Sequence, residues 1–149
     1  MRQSIGAMAV IRYEQADQTC WLTQWNKRWH GFHLVGGHKL PDESYYDCVV
    51  REICEELGLE VDRDFVVSEV PLSQVSYVAQ SRSAGVETLY SVEVFDTKLL
   101  AGAKPKVDAN RNNRWVTDSE VRQQCCDDGM SISPTMRLLL EQSGLLARS

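Results

Sequence analysis

Between a glycine pair, Gly36-Gly37, and a lone Gly58 lies the segment that leaves this chain the fewest ways to fold. From Ser44 to Leu57, apolar residues recur at helical spacing: Tyr46, Val49 or Val50, Ile53 and Leu57 form one buried stripe. Ser44 followed by Asp47 resembles a capping box with Asp in the usual Glu position. Gly58 stands where a left-handed residue commonly closes a helix. The same helix carries Glu52, Glu55 and Glu56 at separations of three and four, which sets three carboxylates on one side, close to the loop built on Gly36 and Gly37.

Like charges at that spacing repel and slightly weaken a purely structural helix. On the three glutamates alone, a solvated acidic face is the ordinary reading. A divalent cation would relieve the repulsion, and magnesium in particular takes oxygen ligands and bridges carboxylates to substrate phosphates. The formal net charge of −5 bears on the same point. A nonspecific nucleic-acid binder is usually basic, so no nucleic-acid polymer is expected as a partner. An acidic chain can still handle a small phosphorylated substrate if bound cations supply the positive charge.

The wider spacing overturns the solvated-face reading. Gly37, five residues, Glu43, seven residues, Arg51-Glu52-Ile53, one residue, Glu55-Glu56, one residue, Gly58-Leu59 resembles the complete box of the Nudix (MutT-like) hydrolase family. Agreement by chance at its seven fixed positions is on the order of 1 in 10⁸ per start position at typical residue usage. The resemblance covers residues 37–59 most specifically and extends to Trp25-Asn26 and Trp29 before the box and Arg114-Trp115-Val116 after it. It implies an α/β fold, an α/β/α sandwich with a mixed central sheet, occupying 1–149 as one domain. It also implies hydrolysis of a nucleoside diphosphate linked to another moiety, with Mg²⁺ or Mn²⁺ as cofactor.

By that resemblance Glu52 and Glu56 are the principal metal ligands, Glu55 is a third, and the Gly36 carbonyl is a backbone ligand. Arg51 pairs with the carboxylates and holds them in register, which makes Arg51, Glu52, Glu55 and Glu56 the catalytic set. Gly37 and Glu43 organise the loop. The metals would neutralise the diphosphate and lower the pKa of a water, whose proton a carboxylate takes. The base is not assigned by the resemblance. Asp108 is the acid present in the stretch 108–113, where relatives often carry one.

Substrate markers are sparse. The position of a proline in ADP-ribose hydrolases is Gln74 here, and Tyr77 stands where dinucleoside polyphosphate hydrolases carry a tyrosine. Trp21, Trp25, Trp29 and Tyr13 could stack on a base, although packing explains most of them equally well. His30, His33 and His38 read as ordinary surface or core histidines, with His38, next to Gly37, in reach of a phosphate. Tyr77, Trp29, His38 and Asp108 are the weak candidates for substrate contact. A Nudix domain that binds a nucleotide as a sensor or regulatory module, without turnover, is the alternative.

The remaining chain fits one soluble domain: 149 residues, 43% apolar and 25% charged. No apolar run approaches a membrane span and no signal peptide is evident, so a cytoplasmic monomer or homodimer without membrane contact is expected. The five cysteines form no CxxC pair and read as free thiols, mostly buried. Strands are expected at Ile5–Arg12, Cys20–Trp25, Gly31–Val35 (ending at the glycine pair), Phe65–Val70, Gln74–Ala79, Glu87–Phe95 and Arg114–Val116. A turn is expected at Ser81-Arg82-Ser83-Ala84-Gly85 and a long polar loop from Lys98 to Asn113. Thr117-Asp118-Ser119-Glu120 opens a short helix, and Ser133-Pro134 opens a last one with Met136, Leu139 and Leu140 inward.

Overall fold

The structure is a computed structural model that describes residues 1–81 and 85–146. The expected turn at Ser81–Gly85 falls largely outside the described residues. Strand β1 (Arg2–Gln15) turns through Ala16 and Asp17, both at positive φ, into β2 (Gln18–Asn26). Two consecutive left-handed residues twist a two-residue hairpin in the sense that its strands need. Two short strands, β3 (Gly31–His33) and β4 (Val35–His38), lead to helix α1 (Tyr45–Leu57). Strands β5 (Phe65–Val67), β6 (Ser73–Gln80) and β7 (Glu87–Leu99) follow, then helix α2 (Ala103–Asp108) and strand β8 (Asn113–Thr117). Helices α3 (Asp118–Gln123) and α4 (Pro134–Gln142) complete the described elements.

The sheet is mixed. Strand β1 runs parallel to β7 from Arg2↔Thr88 to Ile11↔Thr97, while every other pairing between the named strands is antiparallel among the described residues. The far end of β1 leaves β7 and pairs with β2, which also holds β3 and β8. Because side chains alternate along a strand, β1 feeds two cores. Ala7, Ala9 and Ile11 pack with Cys48, Val49, Ile53 and Leu57 of α1, whereas Val10 joins Trp21, Val94 and the inward residues of α4, Met136, Leu139 and Leu140. Helix α1 thus covers one face and α3 and α4 the other, which is the expected α/β/α sandwich. Of the two valines left open by periodicity, Val49 is fully buried and Val50 is half-buried. All five cysteines are free thiols, with Cys20, Cys48 and Cys126 buried.

Three expectations need correction. The stretch Lys98–Asn113 is not a loop: β7 continues to Leu99, opposite Phe65 of β5, and α2 follows. Helix α2 buries Ala103 and Val107, four apart on one side, and its Pro105 falls in the first turn, where a missing N–H costs no helical bond. Strand Phe65–Val70 stops at Val67. The strand expected over Gly31–Val35 is two strands, since β3 pairs with β2 while β4 crosses to β1. Gly36 and Gly37 therefore lie inside β4 rather than beyond a strand end. A Cβ on Gly36 would run into the Ala7 carbonyl and Met8 of β1, so the close strand approach needs glycine there.

Candidate active site on helix α1

Helix α1 starts where the Ser44 hydroxyl accepts the Asp47 N–H at 3.0 Å and stops at Gly58, whose φ of 66° lets its N–H reach the Cys54 carbonyl at 3.1 Å. With both ends fixed, its polar side faces the turn from β4 into the loop. Arg51 is the hub. Its Nε and Nη2 donate to the two oxygens of Glu43 at 3.0 and 2.7 Å, a bidentate fork. Nη2 also donates to the His38 carbonyl at 3.0 Å, and Nη1 donates to Glu52 at 2.9 Å and to Glu55 at 3.4 Å. Glu43 accepts the Leu40 N–H at 2.8 Å as well. The Arg51 fork, helped by that amide, pulls the Glu43 carboxyl down to about 2. Loop 38–43 is thereby tied to α1 by one guanidinium and one carboxylate.

Glu52 and Glu56 behave differently. Glu52 lies against Gly37 so closely that a Cβ there would sit 2.8 Å from its carboxylate carbon. Glu56 meets Glu52 carboxyl to carboxyl and accepts the Gly36 N–H. Burial, followed by the hydrogen-bonded Glu52 carboxylate, pushes the Glu56 carboxyl well above its ordinary value, and the Gly36 amide offsets only part of this. Two carboxylates in such contact cannot both ionise cheaply unless a cation comes between them. An all-oxygen set beside a glycine backbone fits Mg²⁺ or Mn²⁺. Glu55 does not join the pair: its side chain is 61% exposed and reaches Arg51. Among the described residues, no three His, Cys, Asp or Glu side chains converge on one point. Magnesium needs no such cage, because one or two carboxylates plus substrate phosphates commonly suffice.

Glu56, Gly36 and Gly37 open onto a cavity of about 230 Å³ that also takes in His38, His33 and Trp29. A second cavity, about 550 Å³, lies between β6 and the start of α4. The two share Trp29, Tyr77 and Tyr90 as a common wall, so the structure brings two of the weak substrate candidates, Tyr77 and Trp29, to the site. Tyr77 stacks on Tyr90 at 5.2 Å, and burial raises its hydroxyl pKa to about 12. His38 lines the smaller cavity with its ring held by Ser4, Nδ1 to Oγ at 2.9 Å.

Asp108 is a correction. It lines neither cavity, and its carboxylate accepts from Lys104 Nζ and Trp115 Nε1, both at 2.7 Å. Burial pushes its pKa up, but the lysine and indole outweigh that and leave it lowered. It ties α2 to β8. Sequence reasoning also passed over Tyr90 and the environment of His33. The alternation around His33 (Phe32 and Leu34 apolar on either side) was the available signal that it sits in a strand, both faces of which are buried here.

The family model for the NUDIX domain matches residues 3–128. No curated protein sequence gives a significant match. Solved structures do. Ap4A hydrolase from C. elegans is 15% identical with a TM-score of 0.64, covering 97% of this chain and 97% of that one. The NUDIX domain of Shewanella oneidensis NrtR, crystallised with ADP ribose, is 17% identical with a TM-score of 0.65, covering 97% and 88%. The longer NrtR chain, crystallised with a 27mer DNA, is matched over 59% of its length. A NUDIX hydrolase from Nitrosomonas europaea is 24% identical with a TM-score of 0.58, covering 96% and 89%.

Proposed function

The chain belongs to the Nudix family, and from that membership we propose that it hydrolyses a diphosphate bond in a nucleoside diphosphate linked to another moiety, with Mg²⁺ as cofactor and Mn²⁺ as a substitute. The single observation that carries this reading is the meeting of Glu52 and Glu56 beside Gly36 and Gly37, an all-oxygen pair whose charge a divalent cation would neutralise. Glu52 and Glu56 would hold the metal, which when bound would supply charge neutralisation for the diphosphate and a more acidic water.

The chain's own residues do the rest. Arg51 keeps Glu52 oriented while Glu43 anchors the loop that borders the cavity. Gly37 leaves the space that Glu52 occupies. A carboxylate of the box takes the proton of the attacking water, and attack at phosphorus expels the second phosphate. Asp108 has no part in this proposal, since both its oxygens are engaged elsewhere.

A second reading has one observation in its favour. A domain of similar fold was crystallised with ADP ribose in a protein that was also crystallised with DNA. On that reading the chain binds a nucleotide without turnover. The intact box favours hydrolysis: Arg51 and all three glutamates are present. A panel of nucleoside triphosphates, dinucleoside polyphosphates, ADP-ribose and nucleotide sugars, assayed with and without Mg²⁺, separates the two. Turnover that needs Mg²⁺ and collapses in Glu56→Gln supports the enzyme. Tight nucleotide binding with no turnover of any panel member supports the sensor.

A further inference from the structure

Strand β6 (Ser73–Gln80) forms an edge of the sheet. It pairs with β7 on one side, and among the described residues no backbone group bonds to its other side. An edge strand presents a row of unpaired N–H and C=O groups, which proteins commonly blunt by shortness, charge or proline. Two other strands with a single neighbour fit that rule, since β5 is three residues long and β8 carries Arg114. Strand β6 does not fit it. It is eight residues long, and the chain has no charged residue from Val70 to Ser81, although 25% of it is charged. Apolar side chains stand open around it: Val78 is 52% exposed, Val86 47% and Leu72 39%.

The pairing with β7 decides which groups face outward. The Ser81 N–H donates to the Val86 carbonyl at 2.8 Å, and Gln80 lies opposite Glu87. Antiparallel pairs alternate between bonded and non-bonded, so Ala79, Tyr77 and Val75 spend their backbone groups on β7. Gln74, Ser76, Val78 and Gln80 therefore turn N–H and C=O away from the sheet, and all four residues are exposed. Val75, Tyr77 and Ala79 point to the opposite face, where Tyr77 and Ala79 line the 550 Å³ cavity.

We propose that this edge binds a second copy of the chain, β6 against β6 in antiparallel sense about a two-fold axis at Tyr77, so that one sheet runs through both copies. A two-fold contact needs a surface that complements itself. Antiparallel bonding also needs outward groups opposite outward groups. The register about Tyr77 meets both demands along the whole strand. Gln74 falls opposite the partner's Gln80 and Ser76 opposite the partner's Val78, and each such pair exchanges two hydrogen bonds. On the other face Val75 meets the partner's Ala79, apolar against apolar. A slip of one residue would set outward groups against groups already bonded to β7, and a slip of two would leave one end of the strand unmatched. This self-matching favours a second copy over an unrelated extended segment, which would need no symmetry. Both 550 Å³ cavities would then border the axis. The pairing does not depend on the hydrolase reading.

The test is sedimentation equilibrium of the full chain over a range of concentrations, for wild type and two double variants. The wild type should sediment as a dimer. Gln74→Lys with Gln80→Lys sets lysine opposite lysine at both ends of the seam and should raise the dimer dissociation constant at least about tenfold. Gln74→Lys with Gln80→Glu sets lysine opposite glutamate in the same register and should restore the dimer, less tightly at high salt. Positions 74 and 80 of one chain lie too far apart along an extended strand to pair with each other, so only contact across the axis gives that result. Should a variant fail to fold, hydrogen exchange on the wild type decides. The outward amides of Gln74, Ser76, Val78 and Gln80 should exchange slowly in concentrated protein and fast in dilute protein. A wild type that stays monomeric, or a lysine–lysine variant that dimerises as tightly as wild type, would overturn the proposal. So would a lysine–glutamate variant as dissociated as the lysine–lysine one, or four amides that exchange freely in concentrated protein.

Discussion

Asp64 and Glu56 are both carboxylates in crowded surroundings, and they are treated in opposite ways. Asp64, 3% exposed, accepts from Lys106 Nζ at 2.9 Å, from the Glu60 N–H at 2.9 Å and from Arg63 at 3.2 Å. Those partners, Lys106 first, pull its pKa down to about 2. Glu56 has one amide and a second carboxylate for company, and its pKa goes up. The first acid is satisfied within the chain and joins the segment after α1 to α2. The second stands against another acid, with a single backbone amide to offset it. Where donors match an acid, the acid holds structure together; where they are withheld, it is poised for a ligand.

The contrast can be broken at either end. The largest effect is expected from Glu56→Gln, which should lower Mg²⁺-dependent turnover by several orders of magnitude while circular dichroism shows an unchanged fold. Asp64→Asn should leave turnover within about twofold. Equal losses in the two variants would show that the acids do not differ in kind. Next comes Arg51→Ala, which frees Glu43 from its fork and leaves Glu52 without its cation. A loss of roughly ten- to a hundredfold in kcat is expected, together with a lower Tm and faster proteolysis within loop 38–43.

The third effect is on pH dependence. Asp64 has a folded pKa below its unfolded one, so its stabilisation is present above about pH 4 and is lost as pH falls toward 2. Glu56 has the opposite sign: its folded pKa is raised, so stability declines as pH climbs from the unfolded carboxylate pKa toward the raised value. Asp64→Asn should therefore flatten the acid limb of a Tm profile, and Glu56→Gln the neutral limb. The smallest effect sharpens the same point. Mg²⁺ should raise Tm by a few degrees, more at pH 8 than at pH 5, and not at all in Glu56→Gln. A rise that is equal at both pH values would count against a cation between these carboxylates.

Much of the site's frame was readable because it is local. The spacing from Gly37 to Leu59 lies in one segment, and the α1 caps and buried stripe are set by residues three or four apart. Helix α2 was not readable, since six residues with two buried positions, Ala103 and Val107, show no period, and Gly102 gives no side-chain cap. The end of β7 was missed because Asp96 and Lys98 break the apolar run that stops at Phe95, while buried Thr97 carries the inward face onward. The split at Leu34 follows from β3 and β4 having different partners, which only tertiary structure decides. His33 belongs to this second group. Its type and strand were legible, but the absence of hydrogen-bond partners around a buried ring is a property of space, not of order along the chain.

Pairing of β1 with β7 carries a cost during synthesis. Arg2 lies opposite Thr88, and ten residue pairs separated by 86 positions form the parallel centre of the sheet. A nascent chain can pair one edge of its first strand with β2 and β4, but must leave the other edge open until Thr97 of β7 has left the ribosome, with Ala7, Ala9, Val10 and Ile11 not yet fully covered. Fragments that end before β7 should therefore clump rather than fold, and the β1–β2 hairpin, the nearest local shelter, becomes the segment on which the growing chain waits.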